Sequence, residues 1–214
     1  MMETPKSFSG PAPQNPEGVG LCQATKADIK SILDIQRENS LSNLVGQREK
    51  DEIEKSGFLV HMLSEEELES LIDNPEKVVT VVYKRDGKVL GYAIGYDMKL
   101  WQELKPEWID SIKFLEGFSL EDLEGSVYFR HVAKTSEAGV GVGAKLSVGL
   151  VKISEERGFN RILGEILEEP YINRPSLQLH TNPNPKMSFF KIGEIDEKYE
   201  GENYRWGLFE KKLD

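Results

Sequence analysis

The sequence contains little cysteine or histidine and no long apolar run. Cys22 is its single cysteine, which excludes an intramolecular disulfide and a zinc site built from cysteines. Its three histidines are scattered and lack a paired carboxylate spacing, so no metal site is predicted. No stretch reaches the roughly 18 apolar residues that a transmembrane helix needs, and none is predicted.

Positive charge is also scarce. Lysine and arginine total 27 against 37 aspartates and glutamates, which gives a formal net charge of −10. Such a surface predicts neither a nucleic acid nor an anionic membrane as partner, and it favours cationic acceptors such as amines or basic peptides. The first residues lack the apolar core of a signal peptide, and we expect a cytoplasmic location.

Length and composition predict one globular domain. The chain has 214 residues, of which 38% are hydrophobic and 30% charged. Residues 1–19 are rich in Pro, Gly and Ser, and we expect them to form a disordered leader. Residues 20–214 contain no internal repeat and are predicted to form a single domain.

Capping signatures locate the first helices. A short strand is predicted at 21–24. Thr25-x-x-Asp28 and Ser64-x-x-Glu67 have the capping-box pattern, in which the first side chain and the last satisfy each other's backbone N–H groups. Each signature is therefore expected to begin a helix.

A hairpin follows in the middle of the sequence. Two apolar, β-branched runs at 78–84 and 88–96 flank Asp86-Gly87, a dipeptide that favours a tight two-residue turn. The next segment, 97–125, mixes aromatic and charged residues. We expect it to be helical and irregular, and either functional or a shield for part of the sheet.

The second half predicts one βαβ unit. A strand at 127–133 precedes a glycine loop, and a helix at 144–157 leads to another strand at 159–167, so these two strands should run parallel. Two final strands are expected, at 189–195 and 204–211, around a turn at 196–203. The fold class is therefore α/β, with a mixed, mostly antiparallel sheet, one parallel central pair and helices on both faces.

The glycine loop predicts a phosphate site. Gly139, Gly141 and Gly143 alternate between a strand and a helix, where backbone N–H groups can approach an anion and the helix N-terminus adds partial positive charge. The pattern also fits the dinucleotide motif G-x-G-x-x-A. A Rossmann domain, however, needs several parallel βαβ units, and a tight hairpin precedes this one.

The loop and its surroundings resemble the GNAT superfamily of N-acetyltransferases. Ala138-Gly-Val-Gly-Val-Gly-Ala-Lys-Leu146 is similar to the family's R-G-x-G-x-G-x-x-L pattern. A Gly-Phe-Leu segment at 57–59 and an Asp-Gly-Lys-Val-Leu-Gly-Tyr hairpin precede it in the family's order. The segment 170–176 resembles the family's Asn- and Ser-containing stretch near the cofactor thiol. The resemblance spans about 20–213 and implies binding of acetyl-CoA or CoA without a metal.

The resemblance implies a set of cofactor-binding residues. They comprise the backbone groups of a splayed strand, the phosphate loop and the stretch beside the pantetheine arm: His131, Val132, Ala133, Ala138, Gly139, Val140, Gly141, Val142, Gly143, Ala144, Asn173 and Ser176. Ala138 stands where the family usually has Arg or Gln, so one pyrophosphate contact is missing or is supplied from elsewhere.

Three residues are candidates for proton transfer. Glu165 lies in an otherwise apolar strand, where burial would raise its pKa and suit it as general base, although pairing with Arg161 is an equal alternative. His131 could deprotonate the amine instead, or be a packed imidazole. His180 stands where the family has a tyrosine that protonates the thiolate, which implies an acid role.

The resemblance implies an enzyme that transfers an acetyl group from acetyl-CoA to a primary amine of a small molecule or peptide. A non-catalytic CoA-binding sensor or interaction module is the alternative, because Ala138 departs from the signature. The acceptor's identity is not specified by any motif. Families of this kind are often homodimers, so a homodimer is a further expectation.

Overall fold

The computed structural model describes residues 19–181, 188–199 and 201–213. The predicted leader lies outside these ranges, except for Val19. The described residues form eight strands and eight α-helices, joined by short 3₁₀ turns and loops. In chain order they are β1 (Val19–Gln23), α1 (Ile29–Asn39), α2 (Leu41–Leu44), α3 (Lys50–Ser56), α4 (Glu65–Ile72), β2 (Val78–Arg85), β3 (Lys88–Asp97), α5 (Met98–Leu104), α6 (Pro106–Asp110), β4 (Ile112–Phe114), β5 (Ser126–Lys134), α7 (Val142–Glu156), β6 (Arg161–Glu169), α8 (Arg174–His180), β7 (Phe190–Tyr199) and β8 (Glu202–Lys212).

The strands form one sheet in the order β1-β2-β3-β5-β6-β8-β7-β4. Every neighbouring pair is antiparallel except β5 and β6, which run parallel as the βαβ unit requires. The predicted mixed sheet with one parallel central pair is therefore confirmed. The edge strand β4 was not predicted from sequence; it is only three residues long and pairs with β7.

Helices cover both faces of the sheet, as predicted. On one face α7 packs Val142, Leu146 and Leu150 against apolar residues of the central strands. On the other face Ile32 of α1 and Leu68 of α4 belong to a larger core. In the part of the chain that the structure describes, no helix is both long and apolar enough to cross a membrane.

Both predicted capping boxes are present. Thr25 N–H donates to Asp28 Oδ2 at 3.0 Å, although this box begins a 3₁₀ turn that leads into α1. Ser64 Oγ accepts from Glu67 N–H at 3.2 Å and begins α4. Gly158, with φ of +80°, follows the end of α7, where a left-handed residue closes the helix.

The predicted turn at 196–203 was wrong. β7 continues to Tyr199 and β8 begins at Glu202, and Gly201 takes the left-handed conformation of the turn with φ of +89°. Exposed and half-buried residues alternate along this end of β7, which extends beyond the core. Its charged composition therefore resembles a loop even though its backbone is a strand.

Candidate active site

The parallel strands β5 and β6 pair over only four residues and then separate. The register runs from Ser126↔Arg161 to Phe129↔Gly164. Beyond that point β5 follows β3 as far as Lys134, and β6 follows β8 as far as Glu169. The separation leaves a cleft between the two strands, lined by strand edges that the sheet does not use.

A β-bulge in β5 lies where the strands separate. Ile94 of β3 pairs with His131 and Gly95 pairs with Phe129, so Arg130 is the extra residue. A bulge bends its strand and places adjacent side chains on one face. Accordingly, the Arg130 guanidinium lies over the Trp101 ring, 5.0 Å from its centroid, and His131 Nδ1 lies 3.3 Å from the Tyr92 hydroxyl on the same side of the sheet.

The cleft has a volume of about 510 Å³ and brings together most of the predicted cofactor residues. Those that line it are His131, Val132, Ala133, Val140, Gly141, Gly143, Ala144, Asn173 and Ser176. Ala138 and Val142 are instead buried in the core beneath the loop, so only their backbone could contact a ligand. Gly139 does not line the cleft.

The glycine loop presents open backbone at the N-terminus of α7. Gly139 and Gly141 have φ of +81° and +86°, a conformation that residues with a side chain rarely adopt. No atom lies within 4 Å of a Cβ built at either position, so the requirement for glycine is conformational. Gly141 is the N-cap of this 15-residue helix, and Val140 beside it is fully exposed. The accessible N–H groups and the partial charge of the helix suit a phosphate.

A cation from the β2–β3 hairpin reaches this loop. Arg85 Nη2 donates to the Ala138 carbonyl oxygen at 3.2 Å, and Lys88 pairs with Glu137 at 2.6 Å. The loop therefore has a guanidinium beside it although position 138 is alanine.

Asn173 fastens α8 to the opposite wall of the cleft. Its Oδ1 accepts from Ser176 N–H at 3.3 Å as the helix cap, and its Nδ2 donates to the Phe58 carbonyl at 3.0 Å. The buried Glu54 carboxylate accepts from Ile172 N–H at 3.1 Å and from Arg174 at 2.9 Å. The predicted cofactor stretch is thereby held at a fixed distance from the segment 57–59.

His180 faces the cleft at the C-terminus of α8. Its Nδ1 lies 2.7 Å from the Ser176 carbonyl oxygen. Because a carbonyl only accepts, Nδ1 must donate, and Nε2 of the neutral ring then has a free lone pair. No described residue is a hydrogen-bond partner of Nε2, which lies against Gly164 where the strands separate.

This geometry favours a different role for His180 from the acid role that the resemblance implied. Burial lowers the pKa of its imidazole, and the hydrogen bond to Ser176 opposes this only in part. A neutral ring whose free nitrogen is an acceptor cannot protonate a thiolate. It can instead accept a hydrogen bond from a ligand N–H group.

A second cavity of about 210 Å³ adjoins the cleft. The two share three residues, His61, Arg130 and Glu165, which lie at their boundary. The remaining walls of the second cavity come mainly from the predicted irregular segment and from β7: Trp101, Lys105, Glu107, Trp108, Ser111, Ile195, Asp196, Glu197 and Tyr199.

Glu165 lies on this boundary and accepts a hydrogen bond from Trp108 Nε1. Burial raises the pKa of its carboxyl group, while Arg130, Trp108 and Tyr128 act in the opposite direction. It does not pair with Arg161, which bonds to Asp122 at 2.8 Å and Glu210 at 3.1 Å. Of the two interpretations from sequence, the geometry favours a site carboxylate.

His131 is a packed imidazole beneath the boundary. It is 3% exposed and bonded to Tyr92. Burial, followed by the charges of Arg130 and His61, holds its pKa well below the ordinary value. Such a ring is neutral and a weak base, which favours Glu165 for proton abstraction.

Sequence analysis missed Arg130, His61 and Glu197. His61 Nε2 lies 3.0 Å from Glu197 Oε2, and the imidazole stacks on Trp206 with centroids 5.8 Å apart. Burial raises the pKa of Glu197, but His61 and Arg130 outweigh it and the net pKa is lowered. Arg130 had a detectable signal, since it is a charge in an apolar strand, as Glu165 is. His61 and Glu197 had none, because they are 136 positions apart.

Comparison with known proteins identifies the fold. No protein-family model and no curated protein matches the sequence. Solved structures do match. One is the ribosomal-protein-alanine N-acetyltransferase from Brucella melitensis (TM-score 0.57, 20% identity, 90% of this chain and 99% of that one). Another is the PaiA N-acetyltransferase from Thermoplasma acidophilum in complex with coenzyme A (0.55, 13%, 91% and 99%). A third is a GNAT superfamily phosphinothricin acetyltransferase from Sinorhizobium meliloti in complex with acetyl-CoA (0.56, 20%, 92% and 89%). The chain therefore has the fold of the GNAT-superfamily acetyltransferases.

Proposed function

We propose that the protein is an N-acetyltransferase that moves an acetyl group from acetyl-CoA to an amine. The observation that supports this most is the cleft between β5 and β6, which has the glycine loop and the N-terminus of α7 at one end and Glu165 at the other. Neighbours with this fold have been crystallised with CoA or acetyl-CoA.

The residues of the cleft fit such a cofactor. Gly139 and Gly141 leave open backbone for a pyrophosphate, and Arg85 adds a cation beside them. His180 Nε2 is a buried acceptor without a described partner, which suits an amide N–H of the pantetheine arm. When bound, acetyl-CoA would supply the activated thioester.

The chain's own residues then have three tasks. Glu165 would take a proton from the ammonium group, because only the neutral amine has a lone pair for attack. Backbone N–H groups of the splayed segment 131–133 would polarise the carbonyl oxygen. The net reaction forms an N–C bond and breaks the S–C bond; of the two protons that the ammonium group loses, one ends on the CoA thiol and one is released to solvent. Trp101 and Trp108 would exclude water from the acceptor.

Binding of ligands separates this proposal from its alternatives. We expect acetyl-CoA and CoA to raise the melting temperature, and NAD and ATP to leave it unchanged. Stabilisation by NAD alone would contradict the proposal, although a sheet with a single parallel pair already disfavours a dinucleotide fold.

Thiol release from acetyl-CoA across a panel of amines tests catalysis. We expect at least one amine to accelerate release well above hydrolysis, and mass spectrometry to find its acetylated product. CoA binding without such acceleration would favour the non-catalytic sensor.

A further inference from the structure

Arg130 presents an incompletely used guanidinium to both cavities. Its Nη1 donates weakly to the Tyr128 hydroxyl at 3.4 Å, and the group lies over the Trp101 ring. Among the described residues, no carboxylate lies within ion-pair distance of it. A guanidinium has five N–H donors arranged to bind a carboxylate in a bidentate manner. Partly buried donors of this kind indicate an anionic group on the ligand.

Glu165 presents the opposite charge to the same space. Arg130 and Glu165 both line both cavities, so each charge faces the boundary. They attract each other through space, yet they are too far apart to form an ion pair. Two opposite charges held apart at one boundary are complementary to a ligand that carries both charges close together.

The second cavity has an aromatic and apolar part, and Lys105, Glu107 and Asp196 add charged groups to its wall. Trp101 and Trp108 are 5% and 8% exposed, and Ile195 is 3% exposed. The cavity has a volume of about 210 Å³, which is room for one amino-acid side chain. The Glu197 carboxylate lies within hydrogen-bond distance of His61 Nε2, at 3.0 Å.

We infer that the acceptor is a free α-amino acid with an apolar or aromatic side chain. Its carboxylate binds Arg130, its ammonium group lies toward Glu165, and its side chain packs against Trp101 and Trp108. This inference rests on the proposed acetyltransferase function and names its substrate class. A peptide N-terminus lacks the adjacent carboxylate and is disfavoured.

Matched substrates test the inference. With acetyl-CoA saturating, thiol release is measured with L-phenylalanine, L-phenylalaninamide and phenethylamine, and with the corresponding leucine series. We expect kcat/KM to be about 10- to 100-fold higher for each free amino acid, the usual value of a charge-assisted hydrogen bond. Equal or better rates with phenethylamine would overturn the inference.

The variant Arg130→Met keeps the packing on Trp101 and removes the charge. It should erase the preference for the carboxylate, so that the ratio of kcat/KM for L-phenylalanine to that for phenethylamine falls to about one. A loss that is the same for all three substrates, and so leaves this ratio unchanged, would overturn the inference. Arg205→Met removes an exposed cation that lines neither cavity, and it should preserve the preference.

Binding measurements separate failure of this inference from failure of the proposed function. Titration calorimetry of L-phenylalanine into the CoA-bound protein should show binding that Arg130→Met weakens by a similar factor. CoA binding together with acetylation of other amines, but no binding of amino acids, would overturn the substrate class alone. No binding of CoA would refute the proposed function itself.

Discussion

The two ends of the site are built from different parts of the chain. At the loop, Gly139 and Gly141 offer backbone in a left-handed conformation with open space around it. At the second cavity, Arg130, Glu165 and Trp108 offer side chains from three separate elements. Backbone groups are the same in every protein, whereas each side chain adds its own charge and shape. Damage to the loop should therefore affect all reactions, and damage to the cavity should change which acceptor is used.

The effect that should reach every reaction is expected at the loop. In Gly141→Asp a carboxylate would stand where we propose that the CoA phosphates bind, on a residue with φ of +86°. Repulsion of several kcal/mol between this carboxylate and the phosphates should weaken CoA binding at least about 100-fold. Calorimetry would measure this change. Gly158→Asp is the matched control, since Gly158 has φ of +80° and open space at the other end of α7. It should cost stability and leave the Kd for CoA unchanged; equal Kd values for the two variants would refute the assigned loop.

At the boundary, Glu165→Gln should lower kcat/KM by about 10²- to 10⁴-fold, the usual contribution of a general base. CoA affinity should stay within about twofold. Because the base must be ionised, and burial raises its pKa, wild-type kcat/KM should rise with pH through that raised value. The variant should lack this rise.

Glu168→Gln is the control for this change. Glu168 lies on the same strand but pairs with Lys191 at 2.8 Å and lines neither cavity. Its substitution should leave kcat/KM and the pH profile unchanged. A Glu165→Gln enzyme that kept the wild-type kcat/KM and pH profile would exclude the Glu165 carboxylate as the base. His61 would then be the next candidate.

A smaller effect on CoA binding is expected at His180, where the cleft offers a side chain and not backbone. His180→Leu removes the acceptor at Nε2 and should weaken CoA binding about 5- to 10-fold, as for one neutral hydrogen bond. His180→Gln keeps an acceptor and should recover part of the affinity. The alkaline limb of the pH profile of kcat, which is the decrease of kcat at high pH, should not change in either variant. Loss of that limb in His180→Leu would restore the acid role.

The smallest effect is expected on the stability of the fold, and it arises from His131 beneath the boundary between the two cavities. Because the folded-state pKa of His131 is lowered from 6.5, mainly by burial, its neutral ring stabilises the fold at higher pH. That contribution is complete above pH 6.5 and is lost as the pH falls toward the folded-state value. In His131→Gln, urea unfolding between pH 7.5 and 5.5 should lose about 1 kcal/mol less stability than in the wild type. An unchanged pH slope would show that the ring is not buried in its neutral form.

The same contrast explains what could be predicted from the sequence. Turns and loops built from backbone conformation have local signals, so the Asp86-Gly87 hairpin and the glycine loop were located. Glu165 was found because a buried charge in an apolar strand costs free energy unless a partner or a function compensates for it. The short helices α2 and α3 and the strand β4 were not assigned, because each is held by packing with distant elements.

The second cavity was not predictable for a related reason. Its walls come from α5, α6, β5, β6 and β7, and no motif joins them in sequence. His61 lies in an irregular segment and acquires its role only because β7 brings Glu197 beside it. Sheet topology, which single-sequence patterns describe only coarsely, decides these contacts.

The bulge at Arg130 also limits how the gene can change length. Most substitutions in β5 would alter one contact each. Deleting one residue between Phe129 and Val132 would remove the bulge and restore simple alternation, so that adjacent side chains here would lie on opposite faces of the sheet. Arg130 and His131 could then no longer share a face, and the two strands could continue pairing across the present cleft. We therefore expect drift in amino-acid identity to be tolerated along this strand far better than insertion or deletion of a single codon.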